Sequence, residues 1–149
     1  MHVRVEIDSN IVEPEVVIKA KEYNNQVRHL QQVIEENAAE QKKLLFFKDT
    51  TQYYLHLDEI LFFETEERAV VAHVADDAYE VHERLYQLES ELPQQFIRIS
   101  KSTIVNVTKI LSLNRSLSNC LIQFYDSYKQ VYASRRYYKM LQDRLGKWR

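Results

Sequence analysis

The chain has 149 residues, a length that suits one domain with a small appendage, and its 45% apolar content is typical of a globular protein with a packed core. No window approaches 18 apolar residues, and the N-terminus lacks the basic start and apolar run of a signal peptide, so we expect a cytoplasmic protein. The only glycine is Gly146 and the only cysteine is Cys120. This argues against glycine-rich phosphate loops, and it excludes both an intramolecular disulfide and a cysteine-based zinc cluster.

The formal net charge of −2 conceals two unlike parts of the chain. Residues 1–95 contain 9 basic and 20 acidic side chains, whereas residues 96–149 contain 11 basic side chains and only two acidic ones, Asp126 and Asp143. A basic C-terminal third on an acidic body favours a surface that binds a polyanion such as nucleic acid. Docking of one copy on another, or no function at all, is compatible with the same asymmetry.

Residues 1–43 precede the series of short apolar runs and have a hydrophobic pattern of their own. Apolar residues alternate in HVRVEID, which predicts a strand, and EVVIKAKEY is the candidate for a second. Four apolar residues then recur at helical spacing: Val27, Leu30, Ile34 and Ala38. Asn24 or Asn25 would serve as the N-cap of this helix. The sequence thus predicts a β-β-α extension that is too small to fold alone, and we expect it to mediate a homodimer.

From Leu44 onwards, short apolar runs alternate with turn clusters. The candidate strands are 44–48, 52–57, 60–65, 69–74 and 78–83, followed later by FIRIS, TIVNV, ILSLN, NCLIQFY and QVYAS. Leucines at helical spacing in RLYQLESEL predict a helix that Pro93 stops, and RRYYKMLQDRLGKWR predicts a closing helix. The pattern favours a mostly-β domain (α+β overall) over residues 44–149.

No residue pattern points to catalysis, a cofactor or a metal. The five histidines show neither an HxH nor an HExxH spacing, and three of them lie in alternating strands where half-buried histidines are common: His56, His73 and His82. Cys120 lies in a strand as a buried thiol with no identifiable base. Ser100 and Ser102 lack the flanking glycines of a nucleophile elbow. We therefore expect a protein that is not an enzyme.

The basic residues of the last third are more informative. Lys101 sits in the link between FIRIS and TIVNV, where a charged side chain is exposed. Ser134 would be the N-cap of the last helix, and with Arg135 and Arg136 it would form a phosphate site. Arginine can also read guanine through its paired donors. Each charge taken singly is ordinary at a strand end, but their joint position shifts the balance toward nucleic acid.

Three blocks carry a resemblance to a known family: FFETEERAVVAHV, then FIRISKSTIVNVTKILSLN, then VYASRRYYKML. Together they resemble a LytTR DNA-binding domain, whose "F-x-R-x-[SH]-[RKN]-S-x-[IV]-V-N-x-x-x-I" block is matched from Phe96 to Ile110 and whose "S-R-x-x-x-x-x-L" pattern ends at Leu141. The resemblance covers residues 44–147 and implies an elongated mostly-β fold in which loops enter the DNA. It also implies a transcription regulator that binds direct repeats as a dimer or as paired monomers. The short extension is similar to the receiver-less subgroup, often encoded beside a small membrane protein with a regulatory role.

The resemblance also implies a set of DNA contacts. Lys101 would face the backbone and groove with Ser102 beside it, while Ser134 would hold a phosphate and Arg136 would enter a major groove with Arg135 alongside. A third contact would come from residues 64–68, where the only basic candidate is Arg68. Asn106 is either a further contact or a structural amide that bridges backbone groups.

This chain departs from the family pattern at two places. Acidic Glu66 and Glu67 stand in the third contact loop, where relatives carry a basic or histidine reader. The glycine turn that is common before the last strand is replaced by Asp126 and Ser127. A protein-interaction module that has lost DNA binding is the alternative function, and the salt dependence of DNA affinity discriminates between the two.

Overall fold

The computed structural model describes residues 1–38 and 44–148. The chain separates into two compact units, Met1–Glu40 and Gln41–Arg149. The expected domain boundary between residues 43 and 44 lies at the edge of the described residues and stays a prediction. Within the described part of the chain, no helix is long and apolar enough to cross a bilayer.

The N-terminal unit contains one helix, α1 (Asn25–Ala38), as the helical spacing predicts. Asn24 is its N-cap, because its side-chain oxygen accepts a hydrogen bond of 3.0 Å from the amide of Val27 and so satisfies one of the unpaired N–H groups of the first turn. The apolar residues of one helix face are half-buried: Val27, Leu30 and Ile34.

The two strands predicted before α1 are absent, so the β-β part of the predicted extension is wrong. Residues 1–24 contain turns and bends but no strand. Alternation supplies side-chain spacing, but a strand also requires a hydrogen-bonded partner, and a two-stranded hairpin without cover is marginal in water. Val3, Val5 and Ile7 are accordingly 88%, 79% and 91% exposed.

The second unit contains two antiparallel sheets. The larger has the order β2-β1-β5-β4-β3-β7-β6, from strands β1 (Phe46–Lys48), β2 (Thr51–Tyr53), β3 (Phe62–Glu66), β4 (Ala69–His73), β5 (Ala78–Val81), β6 (Phe96–Arg98) and β7 (Thr103–Asn106). The smaller has the order β10-β9-β8, from β8 (Ile110–Arg115), β9 (Asn119–Phe124) and β10 (Gln130–Ser134). Helices α2 (Leu85–Glu91) and α3 (Arg135–Trp148) complete the domain, with short 3-10 turns at Leu57–Glu59 and Val107–Lys109.

This architecture confirms the predicted mostly-β domain with short helices. One predicted strand is much shorter than expected: the run 52–57 forms a strand only as far as Tyr53. β2 is an edge strand whose partner β1 begins at Phe46, directly opposite Tyr53, so no ladder exists beyond that residue. The chain turns into the 3-10 segment Leu57–Glu59 instead.

Both faces of the larger sheet are buried, which explains the nearly continuous apolar runs of its central strands. Neighbouring residues of one strand point to opposite faces. Phe62 and Val105 enter the α3 core, which also contains apolar residues of the smaller sheet and Leu141 of α3. Phe63 and Ile104 enter the α2 core, together with two leucines of that helix, Leu85 and Leu88.

The turn between β9 and β10 forms without a glycine. Asp126 adopts φ 56°, in the left-handed region, where aspartate is among the better tolerated residues. The hydroxyl of Ser127 donates a 2.6 Å hydrogen bond to the carbonyl of Ala75, so this turn is attached to the β4–β5 connection of the larger sheet. The pair that replaces the expected glycine thus also links the two sheets.

Candidate nucleic-acid interface

Lys101 lies at the tip of the loop 99–102 between β6 and β7. Ile99 is fully buried and its amide donates to the carbonyl of Thr103, so the two strands hold the base of this loop. The amide of Ser102 donates to the hydroxyl of Ser100 at 3.2 Å, which closes the tip. Lys101 itself is exposed. The loop therefore presents one cation on a backbone that the sheet has already ordered.

Arg98 stabilises this loop from behind, a role that sequence reasoning missed. Its guanidinium donates to the carbonyl oxygens of Ser100 and Lys101 and forms a 2.8 Å ion pair with Glu89 of α2. An arginine inside the otherwise apolar strand FIRIS was the available signal, because a half-buried charge in a strand requires partners. Arg98 thus positions Lys101, and its own guanidinium is occupied by the two carbonyl groups and Glu89.

The junction between β10 and α3 is hydrogen-bonded to the same loop. The amide of Ser134 donates to the carbonyl of Ile99 at 2.9 Å, two residues before Lys101. Arg135 and Arg136 follow as the first two residues of α3, and both are exposed. The first amides of a helix have no partner within the helix and favour anions, so this junction adds backbone donors to two guanidinium groups.

Helix α3 is anchored by packing and by a charged contact. Leu141 is fully buried in the α3 core, and Tyr138 and Leu145 pack against that core. The guanidinium of Arg144 donates to the carbonyl oxygens of Gln94 and Phe96, just before and at the start of β6. Arg135 and Arg136 therefore extend from a helix whose orientation the core determines.

The β3–β4 turn with Arg68 lies at the same end of the sheet. β3 and β7 are antiparallel neighbours, and the amide of Thr65 donates to the carbonyl of Ser102 at 2.8 Å. Glu67 and Arg68 are the two turn residues, both exposed, with Glu67 at φ 56°. The structure therefore brings together residues 67–68, 99–102 and 134–136, which we call the three-segment surface.

Glu66 does not point to the tip of this turn. Its carboxylate reaches back along the hairpin and accepts a 2.7 Å hydrogen bond from Nε2 of His73, while Lys129 lies 3.1 Å from the other ring nitrogen. Burial lowers the pKa of His73, the bond to Glu66 opposes this shift, and the charge of Lys129 adds to it. A neutral ring that accepts from Lys129 and donates to Glu66 satisfies all three groups. Of the two acidic residues next to Arg68, Glu66 therefore has its carboxylate away from the tip of the turn.

The same hairpin brings together three donor groups that sequence spacing did not predict. Glu64, Glu66 and His73 place one ligand-type atom each within 4.8 Å of one another. Burial raises the pKa of Glu64, and the neighbouring carboxylate of Glu66 raises it further. Glu66 and His73 are already hydrogen-bonded to each other, and His73 also contacts Lys129, so two of the three groups have partners within the domain.

Asn106 lies apart from the three-segment surface, at the opposite end of β7 from Lys101. It is fully buried, and its amide nitrogen donates to the carbonyl of Ile60 at 2.9 Å. Its oxygen accepts from the amide and hydroxyl of Thr108, at 3.1 and 2.7 Å, and so caps the 3-10 turn that follows. A side chain with these partners is not available to DNA, so we remove Asn106 from the predicted contacts and assign it the structural role.

The three-segment surface carries positive charge that is not neutralised within the domain. Among the described residues, no ion pair involves any of its four basic side chains: Arg68, Lys101, Arg135 and Arg136. By contrast, Arg98 and Lys48 are paired with carboxylates. Cations without internal partners, gathered beside hydroxyls and helix amides, form a surface suited to a polyanion.

Comparison with known proteins agrees with this geometry. Residues 50–146 match the family described as the LytTr DNA-binding domain. The chain belongs to the LytTR family. A solved LytTr DNA-binding domain of a methyl-accepting/DNA response regulator from Bacillus cereus has a similar fold, with a TM-score of 0.64 at 20% identity, and the match covers 70% of this chain and 98% of that one.

Relatives of the same length occur in Staphylococcus aureus. Two proteins from different strains, each named an uncharacterized HTH-type transcriptional regulator, are 29% and 28% identical to this chain over 146 residues, which is 98% of this chain and 99% of theirs. The likeness therefore extends through the N-terminal unit. This LytTR chain thus carries a DNA-binding domain of the type found in transcriptional regulators, which is not an enzyme family.

The term HTH in those names does not describe the fold of this chain. A helix-turn-helix motif needs two helices joined by a short turn, the second of which enters the major groove. In the described residues no two α-helices follow each other directly, because strands separate α1, α2 and α3. The candidate contacts of this LytTR domain lie on loops and at the start of one helix.

Proposed function

We propose that this protein is a bacterial transcriptional regulator that binds direct-repeat promoter sequences through the three-segment surface of its LytTR domain. The observation that carries the proposal is the hydrogen-bonded arrangement of the three segments, in which Ile99 bonds to Ser134 and Ser102 bonds to Thr65. These bonds place Lys101, Arg136 and Arg68 on ordered backbone at one end of the domain. Membership of the LytTR family supports double-stranded DNA as the partner.

The residues have different roles in this proposal. Lys101, Ser102 and Ser134 contact the phosphate backbone, because lysine is a point charge and hydroxyls position phosphates without reading sequence. Arg136 enters the major groove, where a guanidinium can pair with the two acceptors of a guanine. Arg135 lies beside it, and Arg68 contributes from the β3–β4 turn.

The proposal includes a homodimer formed through the N-terminal unit. Several large apolar side chains of this unit are exposed, among them Val12 at 98% and Ile7 at 91%. Large exposed apolar patches mark interaction surfaces, and these side chains are the candidates for one. A second copy is the occupant we propose, because binding to repeated sites requires two DNA-binding domains.

Two further parts of the proposal concern the setting in the cell. We place the protein in the cytoplasm, where a DNA-binding regulator meets its promoter. We also propose that its input comes from a partner, with a regulatory membrane protein encoded nearby as the leading candidate, on the strength of the resemblance to receiver-less regulators.

A gel-shift titration of the full chain with its own upstream region tests the function. DNA affinity should fall steeply as salt rises from about 50 to 200 mM, because bound cations release counterions from the phosphates. Arg136→Ala should cost about 1–3 kcal/mol of binding free energy and relax specificity at one base, whereas Lys101→Ala should weaken binding to all sequences.

The matched control is Lys109→Ala, which removes one positive charge from the basic third but at the end of β7 where Asn106 lies. It should bind DNA like the unmodified chain. Unchanged affinity in both Arg136→Ala and Lys101→Ala would refute the assigned interface. Absence of any salt-dependent binding by the unmodified chain would favour the protein-interaction module instead.

Light scattering tests the dimer separately. A truncated chain that begins at Leu44 should be monomeric while the full chain is dimeric, and it should still bind a single half-site. An unchanged dimer after truncation would refute the assignment of the interface to the N-terminal unit. Separate titrations with direct and inverted repeats then show which operator arrangement the dimer prefers.

A further inference from the structure

Arg115 lies at the end of β8, beside the three-segment surface but outside all predicted contacts. The register pairs Arg115 with Cys120, and Cys120 with Ala133. The next pair along the smaller sheet is Asn119 with Ser134, the last residue before α3. The β8–β9 turn therefore lies next to the β10–α3 junction, and Ser116 braces that turn by donating its hydroxyl to Asn119.

A cleft of about 600 Å³ separates this turn from the start of α3. Polar side chains line it from both sides: Arg115, Ser116 and Asn119 from the β8–β9 hairpin, and Arg135 and Tyr138 from α3. Each side thus contributes one guanidinium group. A cleft with guanidinium groups on opposite walls suits a phosphate-sized anion.

The guanidinium of Arg115 is held in place without being neutralised. It lies over the ring of Tyr138 with its central carbon 4.5 Å from the ring centroid. A cation–π contact of this kind does not neutralise the charge of the guanidinium. Among the described residues no carboxylate pairs with Arg115 or Arg135. Arg115, held against Tyr138, and the exposed Arg135 thus line one cleft, and neither is paired with a carboxylate of the described residues.

We propose that this cleft holds a backbone phosphate of the bound DNA, contacted by Arg115 from the end of β8 and by Arg135 from the start of α3. The inference rests on the proposed DNA binding and adds a fourth segment to the interface. The cleft adjoins the proposed contacts, because Arg135 lines it, Arg136 is the next residue of α3, and Ser134 joins the helix start to the Lys101 loop. The contact positions the duplex and does not read bases.

Fluorescence anisotropy of the full chain with a labelled duplex of its upstream region, at several salt concentrations, tests the inference. Loss of one phosphate contact makes the slope of log affinity against log salt shallower by about one. Arg115→Gln should show this change together with a several-fold loss of affinity, equal for specific and unrelated duplexes. Arg115→Lys keeps the charge and should retain most of the slope.

Lys109→Gln is the matched control, because Lys109 directly precedes β8 and Arg115 ends it. This variant loses the same charge at the far end of the strand and should keep the slope of the unmodified chain. If Arg115→Gln behaves like Lys109→Gln while the unmodified chain still binds DNA, the inference is wrong and the proposed function stands. If the unmodified chain does not bind DNA, the proposed function is the part that fails.

Two further measurements separate a phosphate contact from other roles of Arg115. A lowered melting temperature with reduced affinity but an unchanged salt slope would show that Arg115 acts through its packing on Tyr138, which would overturn the inference. Calorimetric titration with inorganic phosphate identifies a site for a free anion. Phosphate binding that Arg115→Gln abolishes, with no change in the DNA salt slope, would also overturn the assignment to DNA.

Discussion

The N-terminal unit and the LytTR domain use apolar residues in opposite ways. In the domain, large side chains such as Phe63 and Leu141 are fully buried. In the N-terminal unit, Ile7 and Val12 remain 91% and 98% exposed. Both regions alternate apolar and polar residues. Only in the domain does every strand have a hydrogen-bonded neighbour, and only there are both faces of a sheet covered by other elements.

This difference teaches that the two units meet different needs for stability. The domain buries most of its large apolar side chains in two cores, and its exposed loops are the proposed DNA contacts. The N-terminal unit has too few residues to enclose a core, so its apolar side chains stay exposed, and in the proposed dimer a second copy covers them. Substitutions should therefore affect folding in the domain and association in the N-terminal unit.

The largest expected effect is that of Phe63→Ala. Phe63 is fully buried in the α2 core, where its ring lies 5.7 Å from that of Phe96. Truncation to alanine removes apolar contacts and leaves a cavity, so the free energy of unfolding should fall by about 3–5 kcal/mol. Urea denaturation followed by circular dichroism measures this change.

Ile7→Ala is the matched comparison in the N-terminal unit. At a protein concentration too low for association, it should change the free energy of unfolding by no more than about 0.5 kcal/mol. At higher concentration it should weaken dimer formation, measured by light scattering. Equal destabilisation by Phe63→Ala and Ile7→Ala in the dilute protein would contradict the distinction between the two units.

Asn106→Ala should have the next largest effect and should act on stability alone. The substitution leaves the buried carbonyl of Ile60 and the amide of Thr108 without their side-chain partners, which costs about 1–3 kcal/mol. Lys101→Ala, at the other end of β7, should leave the melting temperature unchanged but weaken DNA binding. Parallel thermal melts and gel shifts of the two variants test this, and a lower DNA salt slope in Asn106→Ala would contradict the structural assignment.

The local sequence pattern predicted most strands and both helices of the domain, because apolar alternation and turn residues there coincide with strands that have partners. Alternating pairs such as Phe62 and Phe63 divide between two cores, and turn clusters separate strands that do find partners. Pairing itself is not visible in one sequence, which is why the strands expected before α1 are absent and why β2 ends at Tyr53. The residues before α1 show the same alternation as the domain but lack its neighbours.

The candidate contacts divide along a similar line. Exposed cations beside turns, such as Lys101 and Arg136, can be recognised from their local setting. The roles of Arg98, Asn106 and Arg115 depend on groups distant in sequence: the carboxylate of Glu89, the carbonyl of Ile60 and the ring of Tyr138. Only the fold brings those partners together, so the sequence could not separate a structural amide from a DNA contact.

The smallest expected effect is a pH dependence that originates in the domain. Burial lowers the pKa of His73 below its ordinary value of 6.5, so the folded chain takes up a proton there less readily than the unfolded chain. The free energy of unfolding should therefore decrease as pH falls from about 6.5 toward the lowered pKa. His73→Gln should remove this part of the slope, measured by urea denaturation at a series of pH values.

His29→Gln, at an exposed position of α1, provides the comparison in the N-terminal unit. It should keep the acid-side slope of the unmodified chain, because the hydrogen bonds to Glu66 and Lys129 belong to His73 alone among the histidines of the described residues.

Glu64 gives stability a pH dependence opposite to that of His73. Burial raises the pKa of Glu64, so its contribution to stability declines as pH rises above 4.5. A slope that survives His73→Gln between pH 5.5 and 6.5 (roughly the upper part of the window expected for a lowered histidine pKa) would place the buried titrating group elsewhere in the chain.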